Sequence, residues 1–151
     1  MRWLHFALTP AVVLGGAAAC GEDATPLFAA DYAATFTEVR NCRSSSDHDL
    51  HRIKVLVDPA AHDPYTLRTA AFPVGAIVLK EEFDFGDTAC TGPVIEWTVM
   101  QKLATPEDLG WIWQRVAADR SVTTENDPLC ITCHTSCGIA PDGYDGTCAM
   151  P

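Results

Sequence analysis

His51-Arg52-Ile53-Lys54-Val55-Leu56-Val57-Asp58-Pro59 reads as a β-strand with its end marked: Ile53, Val55 and Val57 alternate with Arg52, Lys54 and Leu56, and Pro59, which has no N–H for a ladder, closes the run. β-branched and aromatic residues recur downstream in three further short runs, residues 75–85, 94–103 and 111–116. Asp84-Phe85-Gly86-Asp87 and Ala104-Thr105-Pro106-Glu107-Asp108 are the clearest turn-like separators between them. Upstream, Leu27, Tyr32, Phe36 and Val39 fall near one face of a helix over residues 26–41, with Pro26 suited to its first turn. Residues 43–47, Arg43-Ser44-Ser45-Ser46-Asp47, read as a loop. Near the end of the chain, Asp127 and Pro128 have the form of an N-cap and a first-turn proline opening a short C-terminal helix. The expected fold is α+β, mainly an antiparallel sheet with an N-terminal and a C-terminal helix.

That last helix carries Cys130-Ile131-Thr132-Cys133-His134. Two thiols three positions apart with an adjoining imidazole form the attachment pattern of a c-type haem. On one helical turn the two sulfurs reach the two vinyl groups along one porphyrin edge, and the histidine lies under the iron as proximal ligand. The competing readings are a pair of structural cysteines beside a surface histidine, and part of a zinc knuckle, since Cys137 lies three residues beyond His134. The haem reading predicts one covalently attached haem c, with Cys130 and Cys133 as its carriers and His134 as its metal ligand.

The start of the chain suits the compartment in which such a group is attached. Arg2 gives a short positive start, residues 3–14 are mostly apolar, and Gly15-Gly16-Ala17-Ala18-Ala19 is a small-residue run ending at Cys20. His5 and Pro10 interrupt the stretch, which falls short of the ~20 apolar residues of a spanning helix. The pattern resembles a bacterial lipoprotein signal over residues 1–19, with Cys20 as the acylated first residue of the mature protein, although Ala17 stands where a larger aliphatic residue is usual. Cleavage after Ala19 by an ordinary signal peptidase is the alternative, and leaves Cys20 an unpaired thiol. The expectation is a lipid-anchored protein of the bacterial envelope, facing the periplasm, with one domain over residues 24–151.

Of seven cysteines, assigning Cys20 to lipid and Cys130 and Cys133 to haem leaves Cys42, Cys90, Cys137 and Cys148. Four thiols in an oxidising compartment suggest two disulfides, with three connectivities open. Proximity in sequence favours Cys137 with Cys148, and Cys42 with Cys90 then remains; free thiols are the bland alternative. The formal charge of -10 and the lack of a basic stripe argue against nucleic acid as a partner.

Residues 51–59, then Tyr65, then Phe72-Pro73-Val74-Gly75-Ala76-Ile77-Val78-Leu79-Lys80-Glu81, resemble the signature block of the cytochrome P-460 family, whose relatives include the β-sheet cytochromes c′-beta. Gly110-Trp111-Ile112-Trp113 is similar to the family's aromatic strand, and Cys130 to His134 match its haem motif. The resemblance implies a mostly β domain that dimerises, one high-spin haem c with an open distal side, and a small nitrogen-containing ligand, either hydroxylamine to be oxidised or nitric oxide to be bound. It also implies that Lys80 is the lysine which, in hydroxylamine-oxidising members, is joined to the porphyrin edge. Strand alternation by itself says only that Lys80 shares a face with Ala76, Val78 and Glu82; a strand-edge lysine in water or paired with Glu82 is the plain reading. Glu125, just before the haem motif, stands where the resemblance puts a distal base, though residues 123–128 also read as an ordinary polar loop.

His48, His51 and His62 lie in or beside polar sequence and read as surface histidines, and Met100 as core. A sixth iron ligand from among them turns the protein into an electron carrier. Arg52, Lys54, Arg68 and Arg115 are candidates for pairing with haem propionates. Trp97, Trp111 and Trp113 read as sheet packing and pocket wall. Two functions follow: a hydroxylamine-oxidising enzyme using Lys80, His134 and Glu125, or a non-catalytic haem protein that holds nitric oxide or passes electrons to an unidentified redox partner. The four extra cysteines depart from the best-known members and point to a divergent branch.

Overall fold

The alternation at residues 52–57 becomes strand β2 (Arg52–Val57) of a six-stranded sheet in a computed structural model that describes residues 24–46 and 48–148. Around it lie β1 (Thr37–Ser44), β3 (Ile77–Phe83), β4 (Glu96–Lys102), β5 (Trp111–Ala117) and β6 (Val122–Glu125). All neighbours pair antiparallel in the order β1-β2-β3-β4-β5-β6, a plain meander. Two short helices complete it, α1 (His62–Leu67) between β2 and β3, and α2 (Pro128–Cys137) after β6. Among the described residues no helix is long and apolar enough to cross a membrane. The signal and Cys20 lie outside the described residues.

From β2 to β5 the register is unbroken, so directly paired residues share a face. Val57, Val78, Met100 and Trp113 form one row across the sheet, and Val55, Lys80, Thr98 and Arg115 the next. With Tyr65, Phe72 and Trp111 the first row builds a core on the side facing α1 and α2. Leu56, Leu79, Trp97, Val99 and Val116 point the other way and are covered by Phe28 and Tyr32. Met100 is core, as the sequence suggested. Trp97 belongs to the opposite face from Trp111 and Trp113, so the three tryptophans do not form one cluster.

The N-terminal helix expected over residues 26–41 is not formed. Its place is taken by an irregular segment with a single 3-10 turn at Tyr32–Ala34, followed by β1. The spacing of Leu27, Tyr32 and Phe36 marks residues that bury against a common surface, and here that surface is the second face of the sheet. Tyr32 is fixed there by polar contacts: Trp97 Nε1 donates to its hydroxyl at 2.9 Å, and the hydroxyl donates to Glu81 Oε1 at 2.5 Å. Thr37 and Glu38 then continue as strand because pairing with Val57 and Leu56 of β2 satisfies their backbone groups. Arg43 and Ser44, read as loop, still belong to β1. Residues 122–125, with Val122 followed by the exposed Thr123, Thr124 and Glu125, form the edge strand β6, whose shortness and mostly polar sequence hide a strand signal. Helix α1 was not anticipated; its Pro64 is tolerated because it falls in the first turn, where no intrahelical N–H bond is required.

Both favoured disulfides are present. Cys42 of β1 joins Cys90 in the loop after β3, across 48 residues, and Cys137 at the end of α2 joins Cys148, across 11. Cys42 thus lies within a strand, where a helix over residues 26–41 would have placed it just past the helix end. Closing a loop of 48 residues contributes about 4 kcal/mol on the chain-entropy account, so replacing Cys42 and Cys90 together by Ala lowers stability in urea by roughly that amount. Leu79→Ala, at a fully buried position of the second core, costs about 2–5 kcal/mol in the same assay.

Candidate haem site

Helix α2 begins as the sequence indicated. Asp127 caps it, its carboxylate accepting from Leu129 N–H at 2.8 Å, with Pro128 in the first turn. Positions 130, 133 and 134 are three and four apart and so share a helix face. Cys130 and Cys133 are the two unbonded thiols among the described residues, and Cys137, needed for a zinc knuckle, is held in its disulfide. Nor do three His, Cys, Asp or Glu side chains converge to hold a metal ion among the described residues. Burial raises the pKa of the Cys130 thiol, with Asp127 adding to the effect.

His134 is buried, and its Nδ1 lies 2.6 Å from the carbonyl oxygen of Gly146. A carbonyl only accepts, so Nδ1 carries the proton and Nε2 keeps its lone pair, the state a metal-binding imidazole requires. Burial, with the nearby Lys80 charge second, pushes the His134 pKa down to about 4. Trp113 packs edge-on against the ring at 4.4 Å between centroids. The tail that supplies Gly146 is pinned: Trp111 Nε1 donates to Asp145 O at 2.8 Å, and Lys102 Nζ to Asp145 Oδ1 at 2.7 Å. Gly146 itself has φ +86°, and a Cβ there would meet Trp111 Nε1 at 2.7 Å, so only glycine allows this approach.

Between α2 and the sheet lies a cleft of about 420 Å³, walled by Val55, Lys80, Thr98, Cys130, Cys133 and His134. A much smaller pocket of about 30 Å³ adjoins it, shared by Lys80, His48, Trp113, Met100 and His134. The larger volume falls within the ~300–1,000 Å³ typical of small-molecule sites. Arg40, Arg43, Lys80 and Arg115 all line it. Four of the chain's ten Lys and Arg thus gather in one cleft of a protein with net charge -10, an arrangement suited to an anionic group. Two register shifts in β1, between Glu38 and Arg40 and between Arg40 and Arg43, accompany the placing of both β1 arginines in the cleft, where strict alternation sets residues three apart on opposite faces. The Nε of Arg40 is buried without a hydrogen-bond partner. The donor set therefore fits a tethered, propionate-bearing porphyrin: two thiols on one helical turn, an imidazole with its Nε2 lone pair kept, and a cationic rim.

Of the expected site residues, Lys80, Cys130, Cys133 and His134 come together around the cleft. Glu125 does not join them. Its register partner Gln114 belongs to the row of Val99 and Leu79 on the opposite face, and Gln114 Nε2 donates to Glu125 Oε2 at 2.9 Å. Of the proposed propionate partners only Arg115 reaches the cleft; Arg52 donates to Phe85 O, and Lys54 lies by Glu38. Arg40 and Arg43 were missed because the bulge that turns them inward leaves no mark in a single sequence.

His48, read as a surface residue, was also missed. It lines the cleft with both ring nitrogens engaged: Nε2 is 2.7 Å from Lys80 Nζ and Nδ1 3.0 Å from Glu82 Oε1. Glu82 is fully buried and takes two further bonds, from His51 Nδ1 at 2.8 Å and Thr98 Oγ1 at 3.0 Å. The plain reading that Lys80 pairs with Glu82 is thus realised through an intervening imidazole. His62 is exposed beside Asp63. Burial works to raise the Glu82 pKa, but the hydrogen bonds and charge of His48, with His51 and Thr98, outweigh it and hold the carboxyl below its ordinary value.

A carboxyl with a lowered folded pKa binds fewer protons folded than unfolded, so its contribution is complete above its unfolded value and is lost as pH falls through the folded one. Glu82→Gln should therefore cost about 1–3 kcal/mol at neutral pH. In urea titrations the gap to the parent protein should narrow as pH falls below the ordinary value of 4.5.

A family model, cytochrome P-460, matches residues 29–138, well over half of the chain. Comparison with curated proteins gives no match. The matched region takes in all six strands and α2 with Cys130, Cys133 and His134. A sheet-backed cleft, a haem-type donor set on the closing helix and this match lead to one conclusion: the chain belongs to the cytochrome P-460 family, whose cofactor is haem.

Proposed function

We propose that this protein is an exported mono-haem c-type cytochrome that binds or oxidises a small nitrogen species, hydroxylamine or nitric oxide, at an open iron position. The observation that carries the reading is the pairing of two unbonded thiols with an imidazole whose Nδ1 is already committed to Gly146. In this reading Cys130 and Cys133 carry the thioether links, His134 Nε2 is the axial ligand, and Arg40, Arg43 and Arg115 face the propionates. Lys80 lies at the porphyrin edge, where the resemblance expects a covalent link in hydroxylamine-oxidising members. When bound, the haem supplies the electron-accepting centre and the position at which the nitrogen ligand sits. An open sixth position is supported by the histidines: His48 and His51 are tied to Glu82, and Met100 packs in the core.

Export to the bacterial envelope, facing the periplasm, belongs to the same reading and is supported by the two disulfides. Cys20 as lipid carrier, a homodimer, and an unidentified redox protein as electron partner complete it. A second reading, a non-catalytic protein that holds nitric oxide or passes electrons, is favoured by one observation: the carboxylate of Glu125 faces away from the cleft.

Protein matured with a cytochrome assembly apparatus should keep its pigment after denaturation, and Cys130→Ser with Cys133→Ser should lose it. Colourless parent protein overturns the proposal. Turnover of hydroxylamine with an added electron acceptor favours the enzyme; nitric oxide binding without turnover favours the carrier. A mass spectrum in which the Lys80 peptide separates cleanly from the Cys130–Cys133 haem peptide rules out the lysine link.

A further inference from the structure

We infer that Tyr65 and Arg40 form a seat for a carboxylate-like oxyanion on the β1 side of the cleft, with the Tyr65 hydroxyl and the Arg40 Nε as its two donors. This deepens the haem reading, on which it rests for one of two occupants: a haem propionate, or a small free oxyanion. The observation that carries it is a pair of buried donors left without an acceptor, the hydroxyl of Tyr65 and the Nε of Arg40. Tyr65 is 4% exposed, so bulk solvent does not satisfy it.

Both residues are placed by the fold. Pairing with Val55 sets Arg40 at the β1 end of the row Val55–Lys80–Thr98–Arg115, and its side chain lines the cleft. Tyr65 comes from α1, which packs on β1; its ring lies in the core with Val55 and Val57, and Val39, the residue before Arg40, packs against that core. The hydroxyl lies close enough to Arg40 for that guanidinium to be the strongest charge acting on it, with Arg68 and Arg43 next. Burial pushes the Tyr65 pKa up to about 12 in spite of those cations, so the hydroxyl keeps its proton and can donate it in a hydrogen bond.

The other cations of the cleft are bonded elsewhere. Arg43 donates to the backbone and side chain of Asn41, Arg115 to Glu96 and Asp49, and Lys80 meets His48. Arg40 differs: burial holds its guanidinium below the ordinary value, and the charges of Arg43 and Arg68 push the same way. A guanidinium N–H only donates, and the two groups are not bonded to each other, so what they lack is an oxygen that accepts from both. A water molecule accepts two bonds but brings no charge to set against Arg40 and its neighbours. A carboxylate-like anion does both, through a charge-assisted bond to the guanidinium and a second bond from the hydroxyl. The seat binds by hydrogen bonds and charge alone, with no covalent or redox step.

The test uses pigmented holoprotein in the diamagnetic ferrous carbonyl form, where carbon monoxide holds the iron and keeps added anions off it, with the variants Tyr65→Phe and Arg40→Lys. Two readouts are taken: the propionate bending vibration in the resonance Raman spectrum, and the Arg40 Nε–H signal in ¹⁵N spectra during titration with sodium nitrite. If a propionate sits in the seat, both variants shift the propionate vibration, Tyr65→Phe moves the Arg40 signal, and nitrite leaves the parent spectrum unchanged. If a free oxyanion sits there, the propionate vibration is indifferent to both variants and nitrite shifts the Arg40 signal saturably. Tyr65→Phe then weakens nitrite binding ~10-fold or more, the worth of one hydrogen bond to a charged group. The inference is overturned if the variants leave the propionate vibration unchanged and nitrite leaves the Arg40 signal unchanged. Should Tyr65→Phe fail to fold, the propionate vibration of Arg40→Lys, which keeps the charge and loses the Nε donor, and the nitrite titration of the parent decide. Colourless parent protein removes the haem reading, and the nitrite titration, which needs no pigment, then decides the seat by itself.

Discussion

Strands β2 to β5 pair without a slip, and that constraint turns the two-residue period of one strand into a property of the whole sheet. Every side chain in the row Val55–Lys80–Thr98–Arg115 must face the cleft, and every one in the row of Leu56, Leu79, Val99 and Gln114 must face away from it. Shifting one strand by one residue exchanges Lys80 for Leu79 or Glu81 at the cleft and drives Glu82 out of its three hydrogen bonds. Irregularity is confined to the outer pairs, β1 with β2 and β5 with β6, where a bulge disturbs only one neighbour. The bulged edge β1 is where the two arginines turn inward, so the sheet gains a cationic rim without losing register at its centre.

Helix α2 meets that face through specific bonds more than through a broad apolar stripe; Leu129 is exposed, while Cys130 and Ile131 give only partly buried packing. Asp127 sets its start, the Cys137–Cys148 bridge holds its end to the tail, and the tail returns Gly146 to His134. The disulfide and the imidazole hydrogen bond are coupled in this way: one brings residues 144–148 back beside the helix, and the other uses that backbone to choose the histidine tautomer. The same tail is anchored on β4 and β5 through Lys102 and Trp111, so His134 is oriented by the sheet as well as by its own helix.

Charge is distributed against the average. A chain with net charge -10 gathers arginines and a lysine on one concave surface, while its buried carboxylate, Glu82, is surrounded by imidazoles and a hydroxyl. An unpaired buried carboxylate is costly enough that it would protonate. Three donors keep it ionised, and its charge in turn fixes His48 against Lys80.

Sequence alone determined what is local. Alternation in residues 52–57 gives β2, Asp127 and Pro128 open α2, Cys130, Cys133 and His134 fall on one helix face, and short separation pairs Cys137 with Cys148. Each depends on periodicity or spacing within a few residues, which a chain displays before it folds. Tertiary structure decided what depends on a partner strand. The apolar spacing of Leu27, Tyr32 and Phe36 suits a helix as well as a segment laid on a sheet, and only the uncovered second face selects the latter. Glu125 and Lys80 read alike as polar strand or loop residues, and pairing across β3, β4, β5 and β6 sends one away from the cleft and the other into it. His48 and Glu82 are 34 residues apart, and their contact exists only because the turn before β2 folds over β3, where a buried charge requires a donor that no local pattern announces.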